Sequence, residues 1–163
     1  MKILSFGFAA AFMVSPHLHA AVSDADFVKR AGQDGLAEVA LGNDASAMGK
    51  SDAVKQFGQR MVTDHSAANA KLKSAAASGD FKVPSEPSAK QKATEKELKA
   101  MQGAAFDKKY AAKMVEDHQS AIALFEEEAK SGQDANLKSF ASATLPTLRE
   151  HLKMAQDLEA STK

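Results

Sequence analysis

Residues 79–103 read GDFKVPSEPSAKQKATEKELKAMQG. Gly79, Pro84 and Pro87 forbid a continuous helix across 79–87, and the Lys- and Glu-rich run after them predicts a short helix from about Ser88 to Met101. Gly103 then resets the chain. A connection of about 25 residues can travel back along a ~40 Å helix if the short helix is combined with ~10 extended residues. A crossover of this kind makes the long helices on either side of it parallel, whereas short turns make antiparallel hairpins.

Outward from this segment, four amphipathic stretches predict four long helices. The first, α1, runs from Ser23, which forms a capping box with Asp26, to Met48, with Gly49 as its stop. Its stripe of Phe27, Ala31, Asp34, Glu38, Leu41, Ala45 and Met48 alternates spacings of four and three and carries an acid at its centre. The second, α2, opens at Ser51-Asp52 and ends at Gly79, with Val54, Phe57, Met61, His65, Ala68 and Leu72 on one face. The short crossover helix is α3. The fourth, α4, runs from Gly103 to Gly132 and turns Phe106, Tyr110, Met114, His118, Ala121 and Phe125 inward. The last, α5, follows Asp134 to about Ala160, with Leu137, Ala141, Thr144, Leu148, His151, Ala155 and Leu158 inward. Pro146 has no N–H for the Ser142 carbonyl, so a kink or local opening is expected there. No segment alternates like a strand. The expected fold is all-α, a ferritin-like four-helix bundle with a long crossover containing a short helix, in one domain over residues 21–163.

Residues 1–20 read as a signal peptide: Lys2 is basic, Ile3 to Val14 are apolar, Ser15-Pro16 break the run, and Leu18-His19-Ala20 offers a cleavage site, with Ala21 as a second. The apolar run is too short to span a ~30 Å hydrocarbon core, so no stable membrane insertion is expected after cleavage. The location expected is the periplasm or another extracytoplasmic compartment. The chain carries 21 basic and 21 acidic residues, a balance that argues against a nucleic-acid partner. Absence of Cys excludes disulfides, zinc ribbons, iron–sulfur clusters and thiol nucleophiles. Nothing in the pattern points to a particular protein partner or oligomeric state.

The chemistry-bearing residues are three acid–histidine pairs. Met61-Val62-Thr63-Asp64-His65 in α2 recurs as Met114-Val115-Glu116-Asp117-His118 in α4, and α5 carries Glu150-His151. The repeat relates α2 to α4, although duplicated hairpins would relate α1 to α4 and α2 to α5. Glu38, His65 and His118 each lie about 14 residues into their helices and His151 about 17, so all four fall near one level of the bundle. Imidazole and carboxylate suit iron, zinc or copper, and a thioether from Met61 or Met114 one turn away favours copper(I). Asp64, Asp117 and Glu150 point 100° away from their own histidines, which suits them to support a histidine on another helix. Two other readings weigh against a metal: the acids and histidines could pair only to fix register, or they could move protons. The Glu126-Glu127-Glu128 run and the lysines Lys90, Lys92, Lys96 and Lys99 read as solvated faces.

The Phe57-to-His65 stretch, Phe106-Asp107 with Tyr110, the Met-Val-x-Asp-His of α4, and Leu145-Pro146-Thr147-Leu148 with His151-Leu152 resemble the bacterial ferritin-like family known as domain of unknown function 4142. The resemblance covers residues 24–159. It implies the fold and an exported location but no reaction. More distantly, the chain is similar to exported helical families whose His and Met motifs are linked to copper. True ferritins place Glu-x-x-His on two helices, whereas here Val62, Val115 and Leu148 stand three positions before the histidines. Di-iron oxygen chemistry is therefore not expected. No nucleophile elbow, phosphate loop or dinucleotide fingerprint occurs. The expectation is an accessory protein, stress- or metal-related, rather than an enzyme, with a metal-free packing or interaction module as the alternative.

Overall fold

Four of the five helices begin where a short polar side chain caps them. Ser23 accepts from the Asp26 N–H, Ser51 from Val54, Ser88 from Gln91 in a full capping box, and Asp134 from Asn136 and Leu137. In this computed structural model, which describes residues 22–162, the helices are α1 (Asp24–Met48), α2 (Asp52–Ala76, extended by a 3-10 turn Ala77–Gly79), α3 (Ala89–Lys99), α4 (Gly103–Ser131) and α5 (Ala135–Ser161). No strand occurs among the described residues. The expected signal segment and its cleavage sites at Ala20 and Ala21 lie outside them. Among the described residues no helix is long and apolar enough to cross a membrane.

The long helices close a ring in the order α1, α2, α5, α4: α1 packs on α2 and α4, and α5 on α2 and α4, while α3 lies against α1 and α4. Two aspartates fix the directions. Asp107, buried near the start of α4, accepts the backbone N–H groups of Lys50 (2.8 Å) and Ser51 (2.9 Å) in the α1–α2 turn. Asp24, at the start of α1, accepts those of Gln133 (2.9 Å) and Asp134 (2.7 Å) in the α4–α5 turn. Each hairpin thus ties the turn of the other. The start of α4 lies beside the start of α2, so these two run the same way across a diagonal of the ring, as the crossover length predicts. The α1–α2 pair is drawn together at Gly42 and Gly58, where a Cβ on either would come within 2.7 Å or 2.6 Å of the other's carbonyl oxygen.

Two apolar clusters fill the interior. One gathers Phe27, Leu72, Phe125, Leu137, Phe140 and Leu148, with Phe27 edge-on to Phe125 at 5.1 Å. The other gathers Leu41, Phe57, Met61, Leu98, Tyr110 and Met114. Neither contains Glu38, His65, His118 or His151, all of which are buried. Pro146 does not interrupt α5. It sits on the exposed face, as does Ser142, so the carbonyl left without a donor faces water.

The acidic run at the end of α4 departs from the solvated face expected of it. Glu126 is exposed and pairs with Arg149 at 2.8 Å, but Glu128 is buried and neither of its carboxylate oxygens has a partner. Three consecutive helical residues cannot share one face, and the third turns inward. Burial first, then Asp24 and Asp134, push its carboxyl up to about 7.

The Asp107 tie is the more buried of the two, so Asp107→Ala is expected to destabilise the protein by about 1–3 kcal/mol, as for a lost charge-assisted hydrogen bond. Urea denaturation measures this. Asp24→Ala, at a more exposed turn, is expected to cost less.

Candidate metal centre

His65, His118 and His151 are delivered by α2, α4 and α5, and the ring order places α5 between the other two. Their imidazoles form a nearly equilateral triangle, with centroids 5.6 Å apart for His65–His118 and 5.4 Å for each of the other pairs. One nitrogen from each ring lies within 4.8 Å of the other two. A triangle of that side has its centre about 2.8 Å from each corner, and a metal–nitrogen bond is ~2.0–2.1 Å, so a shift of each ring by less than ~1 Å would close it on an ion.

The outer ring nitrogens set which inner ones are free. His118 Nδ1 lies 2.8 Å from the Met114 carbonyl, which can only accept, so Nδ1 carries the proton and Nε2 keeps its lone pair. His151 Nε2 lies 2.9 Å from the Asp64 carboxylate, so it donates and Nδ1 keeps its lone pair. His118 Nε2, His151 Nδ1 and His65 Nε2 are buried with no hydrogen-bond partner. Burial holds all three rings below the ordinary histidine pKa: His65 falls to about 3, helped by its two histidine neighbours, and His118 to about 4, against the pull of the Met114 carbonyl. His151 is also lowered by burial, with Asp64 opposing. The rings are therefore neutral at pH 7, the form that ligates a metal.

The other residues singled out in the sequence fall in different places. Glu38 is buried, its Oε2 is unpartnered, and it borders the same cavity as His65 and His118, but it stands outside the histidine triangle. Burial first, then Asp117 and Asp34, hold its carboxyl well above the usual range. Asp64 supports a histidine on another helix, as its angular position predicts. Its carboxyl is pushed up by burial, but bonds from Arg60 and His151 outweigh this and it is lowered overall. Asp117 instead pairs with Lys113 at 2.8 Å, and exposed Glu150 lies 3.5 Å from Arg60. Met61 and Met114 are fully buried in the second apolar cluster, and Met114 serves His118 through its carbonyl.

Two features of the centre escape sequence reading. Tyr110 sits on the apolar stripe, yet its hydroxyl is buried without a partner and close enough to Glu38 for that carboxylate to raise its pKa. Its place eight residues before His118, on the same helix face, is the one available signal. Gln91 of α3 donates to Asp34 at 2.6 Å, which seats the crossover helix beside the cavity. No local pattern announces a bond between such distant residues.

A family model described as "Domain of unknown function (DUF4142)" matches residues 9–158, and the chain belongs to that family. Neither the curated proteins nor the solved structures include a match.

A centre with three unpaired ring nitrogens is a burden on the metal-free protein, so His118→Leu is expected to leave the metal-free melting temperature unchanged or to raise it. The pH dependence has a definite sign. A histidine whose folded pKa lies below 6.5 favours the native state fully above that value, and stability is lost as the unfolded chain takes up protons between 6.5 and about 4. The fall in urea midpoint from pH 7 to pH 5 should therefore be smaller in His118→Leu than in wild type. An equal fall would mean that His118 takes up its proton over the same pH range in the native and unfolded protein.

Proposed function

We propose that this is an extracytoplasmic, ferritin-like helical-bundle protein that binds a transition-metal ion at His65, His118 and His151, with Glu38 beside the centre on α1. One observation carries the reading: three buried imidazoles each offer a nitrogen within 4.8 Å of the other two, and each keeps a buried nitrogen without a partner while His118 and His151 are tied down by the other. Asp64 behind His151 is the kind of carboxylate that orients a ligating imidazole and raises its basicity. An all-imidazole set suits zinc, copper or iron(II). The role that fits is accessory, in handling or sensing a metal. Export rests on the basic, apolar and small-residue pattern of residues 1–20.

The alternative, a metal-free module whose acid–histidine pairs fix packing, has one observation in its favour, the Asp64–His151 hydrogen bond. A packing network would satisfy its members in pairs, yet no hydrogen bond joins His65 to an acid or any of the three histidines to another among the described residues.

Metal binding to the folded state alone raises stability by RT ln(1 + [L]/Kd), about 4 kcal/mol at a thousandfold excess over Kd. Adding zinc or copper(II) to the purified protein should raise the melting temperature, and His118→Ala should abolish the rise. Asp64→Ala should weaken the affinity by about 10–100-fold. Wild type and His118→Ala melting identically with and without metal would favour the packing module. Mass spectrometry of the exported protein should find a mature N-terminus at Ala21 or Val22.

A further inference from the structure

The histidine triangle is built by three helices of a four-helix ring, and the fourth, α1, contributes no imidazole. On that side lies a cavity of about 90 Å³ bordered by Asp34, Gly35, Glu38 and Leu41 of α1 together with His65 and His118. His151 does not border it; that ring is held from behind by Asp64. Glu38 is only 6 % exposed and its Oε2 has no partner. The hydroxyl of Tyr110, likewise unpartnered, is close by.

Glu38 therefore borders the same gap as His65 and His118 and is not a fourth corner of the triangle. The gap exceeds the ~10–15 Å³ that one water needs and falls short of the ~150 Å³ that takes benzene, so it suits a molecule of a few non-hydrogen atoms. Its polar edge lies toward α3 and α4, where Gln91 bonds Asp34 at 2.6 Å and Lys113 pairs with Asp117 at 2.8 Å.

We propose that the centre is open: the α1 side keeps an exchangeable coordination position, taken by a small hydrogen-bonding ligand such as water or a compact anion, which Glu38 holds from the far side of the cavity. This rests on the metal-binding reading above. Three protein ligands with a free position define the exchangeable class of site, whereas four protein ligands define a closed structural one. Glu38 is the positioning group. Its carboxyl can accept from water and, as the acid, donate to an anion.

Cobalt(II) tests the two readings separately, because its visible bands report both that it is bound and what surrounds it. The purified full-length protein is titrated first with cobalt(II) and then with azide, alongside Glu38→Ala, Glu38→Gln and His118→Ala. Cobalt should bind wild type and both Glu38 variants but not His118→Ala. Azide should then shift the bands saturably in wild type. Its affinity should drop about tenfold in Glu38→Ala, the order of one hydrogen bond, and return to within about threefold in Glu38→Gln, whose amide also donates. Bands indifferent to azide would show a closed centre and overturn the proposal. So would loss of cobalt from both Glu38 variants with their helicity intact, since Glu38 would then be a direct ligand. An azide response unchanged by Glu38→Ala would remove Glu38 from the site. Failure of wild type to bind cobalt would overturn the metal reading itself.

Discussion

The interior of this protein is organised around polar atoms that it leaves unpaired. Glu38 Oε2, His65 Nε2, His118 Nε2, His151 Nδ1 and the Tyr110 hydroxyl are all buried without a hydrogen-bond partner. Each such atom costs on the order of 1–3 kcal/mol when it is shut away from water. The fold tolerates the layer because each of the two apolar clusters draws on all four long helices, and because the hairpins are tied at both ends by Asp24 and Asp107. Rigidity at the ends holds the three imidazoles together in the middle, tilted or edge-on to one another.

The frame is nearly two-fold symmetric and the centre is not. Asp24 and Asp107, Gly49 and Gly132, and the caps Ser51 and Asp134 are each 83 residues apart in the chain, and Phe57 and Phe140 follow the same spacing. That relation maps α1 onto α4 and α2 onto α5, so the hairpins are equivalent in their turns and caps. At the level of the site the equivalence lapses: His65 corresponds to Leu148, His118 to Gly35, His151 to Ala68 and Glu38 to Ala121. No histidine is therefore matched to another by this relation, and the α1 position equivalent to His118 is Gly35. The Met-Val-x-Asp-His repeat has a separate cause. It joins α2 and α4, which run parallel across the diagonal, and so brings His65 and His118 to the same height.

Periodicity and caps were enough to read the helices and the inward faces of the three histidines, because 3.6-residue spacing and Ser or Asp caps are local properties of the chain. That an acid 100° from its own histidine suits a histidine on another helix was legible, but only Asp64 of the three does this, while Asp117 turns to Lys113 and Glu150 to Arg60. What escaped depends on packing between distant segments. The Asp107 tie spans 56 and 57 residues and the Gln91–Asp34 bond spans 57. Glu128 turned inward where its neighbours Glu126 and Glu127 suggested a charged face, because one residue of such a run must follow the helix toward the core. The cavity that Glu38 shares with His65 and His118 is a volume left over by packing, and no sequence spacing encodes it.

The placement of the acids follows from the charge that the proposed metal would bring. The three imidazoles are neutral, so a divalent ion among them would add two positive charges to an interior with low dielectric, where an uncompensated charge is costly. Asp64 offsets part of this from behind His151, although Arg60 already shares that carboxylate. The remaining carboxylates, Glu38, Asp34 and Asp117, lie on the α1 side, with Lys113 as the opposing charge. A carboxylate bonded directly to a histidine would already be ionised and engaged. Glu38 is different: burial and its acidic neighbours hold its carboxyl well above the usual range, which favours the acid form that can donate to a ligand on the ion. An acid held apart from the histidines can thus serve what the ion carries, while Asp64 supplies negative charge from behind His151.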